Sequence, residues 1–226
     1  MSKENDVKKA VILLSGGLDS ATCLAYAKSK GYQCYAISFD YNQRHKVELK
    51  YAAKIAKKFG VKEHLIIKLN MRKWGGSALT SSNIDVPKSG LKPGIPVTYV
   101  PARNLIFLSI ACAYAEAKAI REVFIGVNSL DYSGYPDCRP QFIRAFEKTV
   151  NLGTKTGVSN KKIKIQTPLQ NLKKSEIFKL ASSFGISPSE TISCYDPSPK
   201  GKPCGKCDSC EIRKRAKELF YNEKTN

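Results

Sequence analysis

Ser15-Gly16-Gly17-Leu18-Asp19-Ser20 follows directly on five apolar residues, 10–14, and runs into an alanine-containing helical pattern. Paired glycines let a backbone turn tightly and approach a ligand closely. A helix that starts there presents free N–H groups and the positive end of its dipole. Two serine hydroxyls add donors and Asp19 adds a charge. The chemistry this implies is a phosphate cradle over Leu14, Ser15, Gly16, Gly17, Leu18, Asp19, Ser20, Ala21, Thr22, Cys23 and Leu24. It is neither the Walker pattern, which needs a Gly-Lys-Ser/Thr ending, nor G-x-G-x-x-G. A plain glycine turn with a helix cap is the simpler reading of the same residues.

A second set is Cys194-x9-Cys204-x2-Cys207-x2-Cys210. Thiolates at C-x-x-C spacing clasp one ion without strain, and four soft ligands in a tetrahedron select zinc. Such a site has no open position, so it is structural and contributes folding free energy. An iron–sulfur cluster uses the same ligands. The other four cysteines are scattered. Cys23, Cys34 and Cys112 lie in apolar or helical segments, where they act as small hydrophobes.

A third set lies at 126–139, GVNSLDYSGYPDCR: acids Asp131 and Asp137, aromatic plates Tyr132 and Tyr135, and the cation Arg139. These suit a flat, hydrogen-bonding heterocycle: rings stack it, a carboxylate accepts paired N–H groups, and arginine grips a carboxylate at two points.

Elements must bring these sets together, and strand and helix patterns alternate along the chain. Strands are expected at 10–14, 34–39, 64–69, 122–126 and 162–167. Helices are expected at about 20–30, 46–59, 104–118, from Pro140, and at 171–184, with a short basic helix at the end. Residues 70–101, rich in Gly, Ser and Pro, read as an irregular excursion that folds over the substrate. The alternation predicts a Rossmann-like parallel five-stranded sheet with helices on both faces. Residues 1–190 form the nucleotide-binding domain and 191–226 a small four-cysteine zinc tail. Ligands in such folds sit beyond the carboxyl ends of the strands. Three loops carry chemistry to that edge: 15–20, 39–45 and 126–139. His45, in the second, either takes part or stands exposed and inert.

The 226 residues are 42% hydrophobic and 25% charged, in keeping with a globular protein. No apolar run approaches the roughly 18 residues a membrane span needs. The polar start is no secretory signal, so a cytoplasmic protein is expected. The formal charge of +19 fits a polyanionic partner or simply a lysine-rich surface. The lysines are spread along the whole chain.

SGGLDS resembles the SGGxDS loop of the PP-loop ATP pyrophosphatase superfamily. There the loop holds the β- and γ-phosphates while attack falls on the α-phosphate. The 126–139 stretch resembles the G-V-x-x-x-D-[YF]-S-G-Y-P-D-C-R signature of the 7-cyano-7-deazaguanine synthase family. FDYNQRH (39–45), VPARN (100–104), TPL (167–169), Lys174-Ser175-Glu176 and the four cysteines agree in order. Leu18 stands where many members have glutamine, and the gap after Cys194 is one residue longer than in some. The resemblance implies an ATP-dependent ligase for queuosine biosynthesis. It would join 7-carboxy-7-deazaguanine and ammonia to give the nitrile, AMP and pyrophosphate. It implies Asp19 beside Mg2+, Arg103 and Lys174 as charge-bearing catalytic residues, and Asp131, Tyr132, Asp137 and Arg139 around the deazaguanine. It also implies a homodimer with no obligatory nucleic-acid partner. No glutaminase domain is evident, so free ammonia is expected, and the chemistry needs no covalent role for Cys138. A PP-loop enzyme that adenylates a tRNA base is the alternative.

Overall fold

A computed structural model describes residues 7–88, 94–129 and 134–225. Strand β1 (Lys9–Leu13) is buried along all but its first residue, as a strand covered on both faces must be. It is flanked by β2 (Gln33–Asp40) and β4 (Glu122–Phe124), with β3 (Glu63–Lys68) and β5 (Lys164–Gln166) outside. Every pairing is parallel, in the order β3-β2-β1-β4-β5. The winding therefore reverses between β1 and β4. The chains leaving those two strands diverge and open a crevice.

Alternate β1 residues feed two cores. Ala10, Ile12 and Leu14 pack with α1 (Leu18–Ser29), α2 (Glu48–Lys58), α6 (Lys174–Ser183) and α7 (Asp208–Thr225). Val11 and Leu13 pack with α3 (Arg103–Ala117) and α4 (Pro140–Gly153). A short helix, α5 (Lys155–Val158), precedes β5. The expected strands, their parallel pairing and the helices on both faces are all present.

One expectation changes. The last helix is long, 18 residues, because Ala216 and Phe220 bury against Phe178 of α6. The described residues of the 70–101 excursion are irregular apart from a 3-10 turn at Met71–Lys73, yet Met71, Ala78, Leu79, Val86 and Val100 are buried in the α3 core. It is packed into the fold, and its Pro96 and Thr98 reach the cleft beyond the strand ends. Along α2, Ile55 faces the α1 core and Tyr51 the other.

Candidate active site

The crevice holds a cavity of about 320 Å³. Leu14, Ser15, Gly17, Leu18, Asp19 and Ser20 form its base. Gly16 turns at φ +86°, and a Cβ there would lie 2.3 Å from the Glu48 carbonyl oxygen. At Gly126, a Cβ would lie 2.8 Å from the carbonyl of Asp19. Only hydrogen fits at either place, which is why the loop sits so close to α2 and β4. Inside the loop, Ser15 N–H donates to Ser20 Oγ at 3.1 Å, and Ser20 Oγ donates to the Gly17 carbonyl at 3.1 Å. No side chain caps α1, so its first N–H groups keep their capacity for an anion. Ala21, Thr22, Cys23 and Leu24 continue α1 into the core and do not line the cavity. Burial pushes the Cys23 thiol far up, so it is an inert filler.

Lys174, at the start of α6, donates to both carboxylate oxygens of Asp19 at 2.6 Å. The two are 155 positions apart in sequence and meet at the mouth of the phosphate loop. Arg103 lines the opposite wall, with its guanidinium 5.8 Å from the Tyr135 ring. Burial opposes its charge, but Tyr41, Tyr135, Asp137 and Cys138 more than offset that and hold it protonated. The cavity therefore carries an arginine cation and, apart from it, a lysine–aspartate ion pair.

Asp137 is buried, and its carboxylate accepts from Asn104 N–H at 2.9 Å. It caps the start of α3, beside Arg103, and does not line the cavity. Burial raises its pKa against the pull of that hydrogen bond. Arg139 is exposed and begins α4, also outside the cavity. Asp131 and Tyr132 lie outside the described residues. Tyr135 does line the cavity. Its hydroxyl sits 2.9 Å from Thr98 Oγ1 and 3.4 Å from Tyr195 Oη, tying three segments together over the site. Cys138 lines the wall too, its sulfur accepting from Asn104 Nδ2 at 3.2 Å.

His45 is buried rather than exposed, at 6%. Its Nε2 lies 3.3 Å from Glu48 Oε2 and 3.5 Å from Tyr41 Oη. Tyr41, His45 and Glu48 all line the cavity. Sequence reasoning passed over Glu48, Thr98, Tyr195 and Asp208. The only available signal was adjacency: Tyr195 follows Cys194, and Asp208 lies inside PCGKCDSC, residues read only for metal.

The four cysteine sulfurs lie within 4.8 Å of one another. A tetrahedron with metal–sulfur bonds of about 2.3 Å would place them about 3.8 Å apart, so the set fits one ion. Backbone N–H groups already point at two of the sulfurs: Cys204 N at 3.2 Å from Cys194 Sγ, and Cys207 N at 3.4 Å from Cys204 Sγ. Hydrogen bonds from Cys194 and Cys210 push the Cys207 thiol pKa down. This segment is built against the active site. Ile192 N–H donates to the Gly16 carbonyl at 3.1 Å, and Tyr195, Asp208 and Ser209 line the cavity. Arg213 of α7 fastens it further, donating to Ser193 Oγ at 2.7 Å and to the Thr191 carbonyl at 3.1 Å.

A glycine phosphate loop at the switch point of a doubly wound sheet, with a lysine–aspartate pair at its mouth, defines a Rossmann-like enzyme of the PP-loop class. The solved NMN synthetase of Francisella tularensis shares the fold, with a TM-score of 0.53 at 18% identity over 96% of this chain and 78% of that one. A 4-thiouridine synthetase solved with RNA and ATP shares it at a TM-score of 0.50 and 18% identity, over 96% of this chain and 52% of that one.

Within the class, the model of the queuosine biosynthesis protein QueC family matches residues 9–220, and the chain belongs to that family. The 7-cyano-7-deazaguanine synthase of Pseudomonas putida is 57% identical over 206 residues, 91% of this chain and 92% of its own. That of Stutzerimonas stutzeri is 56% identical over the same shares.

Proposed function

We propose that the protein is an ATP-dependent carbon–nitrogen ligase. It converts 7-carboxy-7-deazaguanine and ammonia to 7-cyano-7-deazaguanine, with release of AMP and pyrophosphate. The observation that carries this reading is the identity to named synthases over nine-tenths of both chains.

A carboxylate does not exchange oxygen for nitrogen unaided, because oxide is a poor leaving group. Attack of its oxygen on the α-phosphorus of ATP expels pyrophosphate and makes that oxygen part of AMP, a good leaving group. Ammonia displaces AMP and gives the amide. The amide oxygen then attacks a second ATP in the same way, and loss of AMP with two N–H protons leaves the nitrile. Each activation is an oxygen attacking phosphorus, so one cavity serves both.

The chain's part is to hold groups in place and meet developing charge. Ser15, Gly16, Gly17 and Ser20 bind phosphate oxygens through N–H and hydroxyl donors. Lys174 leaves Asp19 to meet the phosphates. Asp19 is the residue suited to hold a magnesium ion, which would screen phosphate charge. Arg103 binds the substrate's carboxylate, and the ring of Tyr135 stacks the heterocycle. Asp131 and Tyr132 complete that subsite, and Asp137 acts on it by fixing Arg103. The four-cysteine centre holds zinc as a structural ion. The protein works in the cytoplasm as a homodimer.

The test is mass spectrometry of the purified chain with ATP, magnesium, ammonium and 7-carboxy-7-deazaguanine. The nitrile is expected. ATP turnover that no pterin-like or deazaguanine acid stimulates would contradict the reading.

A further inference from the structure

The peptide between Gly16 and Gly17 decides what the phosphate loop offers a ligand. A trans peptide points its carbonyl and its N–H in opposite directions. The Gly16 carbonyl turns to the segment before the cysteines and accepts from Ile192 N–H at 3.1 Å. The Gly17 N–H is thereby turned the other way, to the side of Ser15, whose Oγ it meets only at 3.3 Å. Ser15 and Gly17 line the cavity and Gly16 does not. The loop thus offers an anion a donor and keeps an acceptor away from it.

The residue types leave this orientation free. Glycine takes either sign of φ, so a peptide between two glycines flips at little steric cost. The flipped peptide would aim its carbonyl oxygen at the phosphates. What opposes the flip is Ile192, through its N–H and through its carbonyl oxygen, 3.4 Å from where a Gly17 Cβ would stand.

Arg213 of α7 holds Ile192 from both sides. One arm of its guanidinium donates to Ser193 Oγ at 2.7 Å. The other donates to the Pro188 carbonyl, to the Thr191 carbonyl at 3.1 Å and to Thr191 Oγ1 at 2.9 Å. A planar fork fixes such a set in one geometry, whereas a lysine is a point donor. The guanidinium also stands 5.8 Å from the centre of the Phe178 ring. Cys210 lies one turn earlier on the same helix, so the cysteine centre sets where Arg213 stands.

We propose that Arg213 is a positioning residue for ATP: through Thr191, Ile192 and Ser193 it locks the Gly16–Gly17 peptide with its N–H toward the phosphates. Arg213 does not line the cavity and acts only through that stretch. The role rests on the ATP-binding part of the functional reading above.

Titration calorimetry of the full chain with magnesium–ATP, and separately with 7-carboxy-7-deazaguanine, tests this. R213Q loses the fork, and its ATP affinity is expected to fall by about 10-fold or more, as when one hydrogen bond to a charged group is lost. Affinity for the acid, placed on Arg103 and Tyr135, stays at the wild-type value. R213K keeps the charge without the fork and loses ATP affinity in the same direction by a smaller factor. K58A opens the neighbouring clamp on this stretch, where Lys58 donates to Glu190 Oε1 and to the Gly185 carbonyl, each at 2.7 Å, and leaves ATP affinity unchanged. Wild-type ATP affinity in R213Q, or in R213K where R213Q does not fold, overturns the proposal. So does an equal loss in K58A, or an equal loss for ATP and the acid, the marks of a general loosening. A wild-type chain that binds no ATP overturns the functional reading and this role with it. A wild-type chain that binds ATP beside an unaltered R213Q overturns the role alone.

Discussion

Gly16 shows how one residue type fixes a site. Its φ of +86° and the 2.3 Å approach of the Glu48 carbonyl forbid any side chain. G16A should lose about 2–4 kcal/mol of unfolding free energy from backbone strain and overpacking. Denaturant unfolding checks this, and a loss below 1 kcal/mol would mean the loop relaxes freely. Lys174 presents the opposite case, a residue whose pairing is expendable for folding but not for chemistry. The pair with Asp19 is partly solvated, with side-chain exposures of 17% and 27%, so little stability rests on it. K174A should melt within a few degrees of the wild type yet lose about 100-fold or more in AMP formation, the usual effect of removing one donor to developing charge. Near-normal AMP formation by K174A would remove the lysine from the mechanism.

At the level of elements, the start of α3 depends on Asp137. Its carboxylate takes the Asn104 N–H, and the preceding Ala102 is held in the left-handed region at φ +55°. D137A should cost about 1–2 kcal/mol, as a lost cap does, and should weaken substrate binding because Arg103 shares that turn. Calorimetry and substrate titration together test both parts. Strand β3 carries a pH signal. His64 Nε2 lies 2.7 Å from Ser38 Oγ, and burial lowers its pKa below the ordinary 6.5. The folded state then favours the neutral ring. The stability this gives is present above about pH 6.5 and is lost as pH falls through the folded value. H64L should show a flatter stability profile than the wild type between about pH 7 and 5. Parallel profiles would contradict the assignment.

How much of this was legible in the sequence differs by element. β1 and the SGGLDS loop are local: an apolar run, a turn that only glycine permits and a helix start all leave a mark within fifteen residues. The four cysteines are legible for the same reason. The Lys174–Asp19 pair is not, because only the sheet order brings positions 155 apart together. Asp137 has a composition suited to a ligand contact, but burial beside Asn104 turns it into a cap, which no spacing reveals. His45 looked exposed because it follows a polar strand end, and tertiary packing against Tyr41 and Tyr195 buried it.

On the scale of the molecule, the cysteine segment and the catalytic crevice are one structure. Cys194, Cys207 and Cys210 share a core with β1 and α3, and Ile192 hydrogen-bonds the phosphate loop. Removing the metal with a strong chelator should lower the melting temperature and also weaken ATP binding, because the wall formed by Tyr195, Asp208 and Ser209 loses its anchor. Titration calorimetry with ATP before and after chelation reads the second effect. Unchanged affinity would make the centre a remote staple.

The central claim is that one cavity activates the same carbon twice through phosphorus. The most direct measurement starts from 7-carboxy-7-deazaguanine with both carboxylate oxygens labelled with oxygen-18. Two AMP molecules should form per nitrile, each carrying one labelled oxygen. Label released to water, or a single labelled AMP per nitrile, would contradict the account.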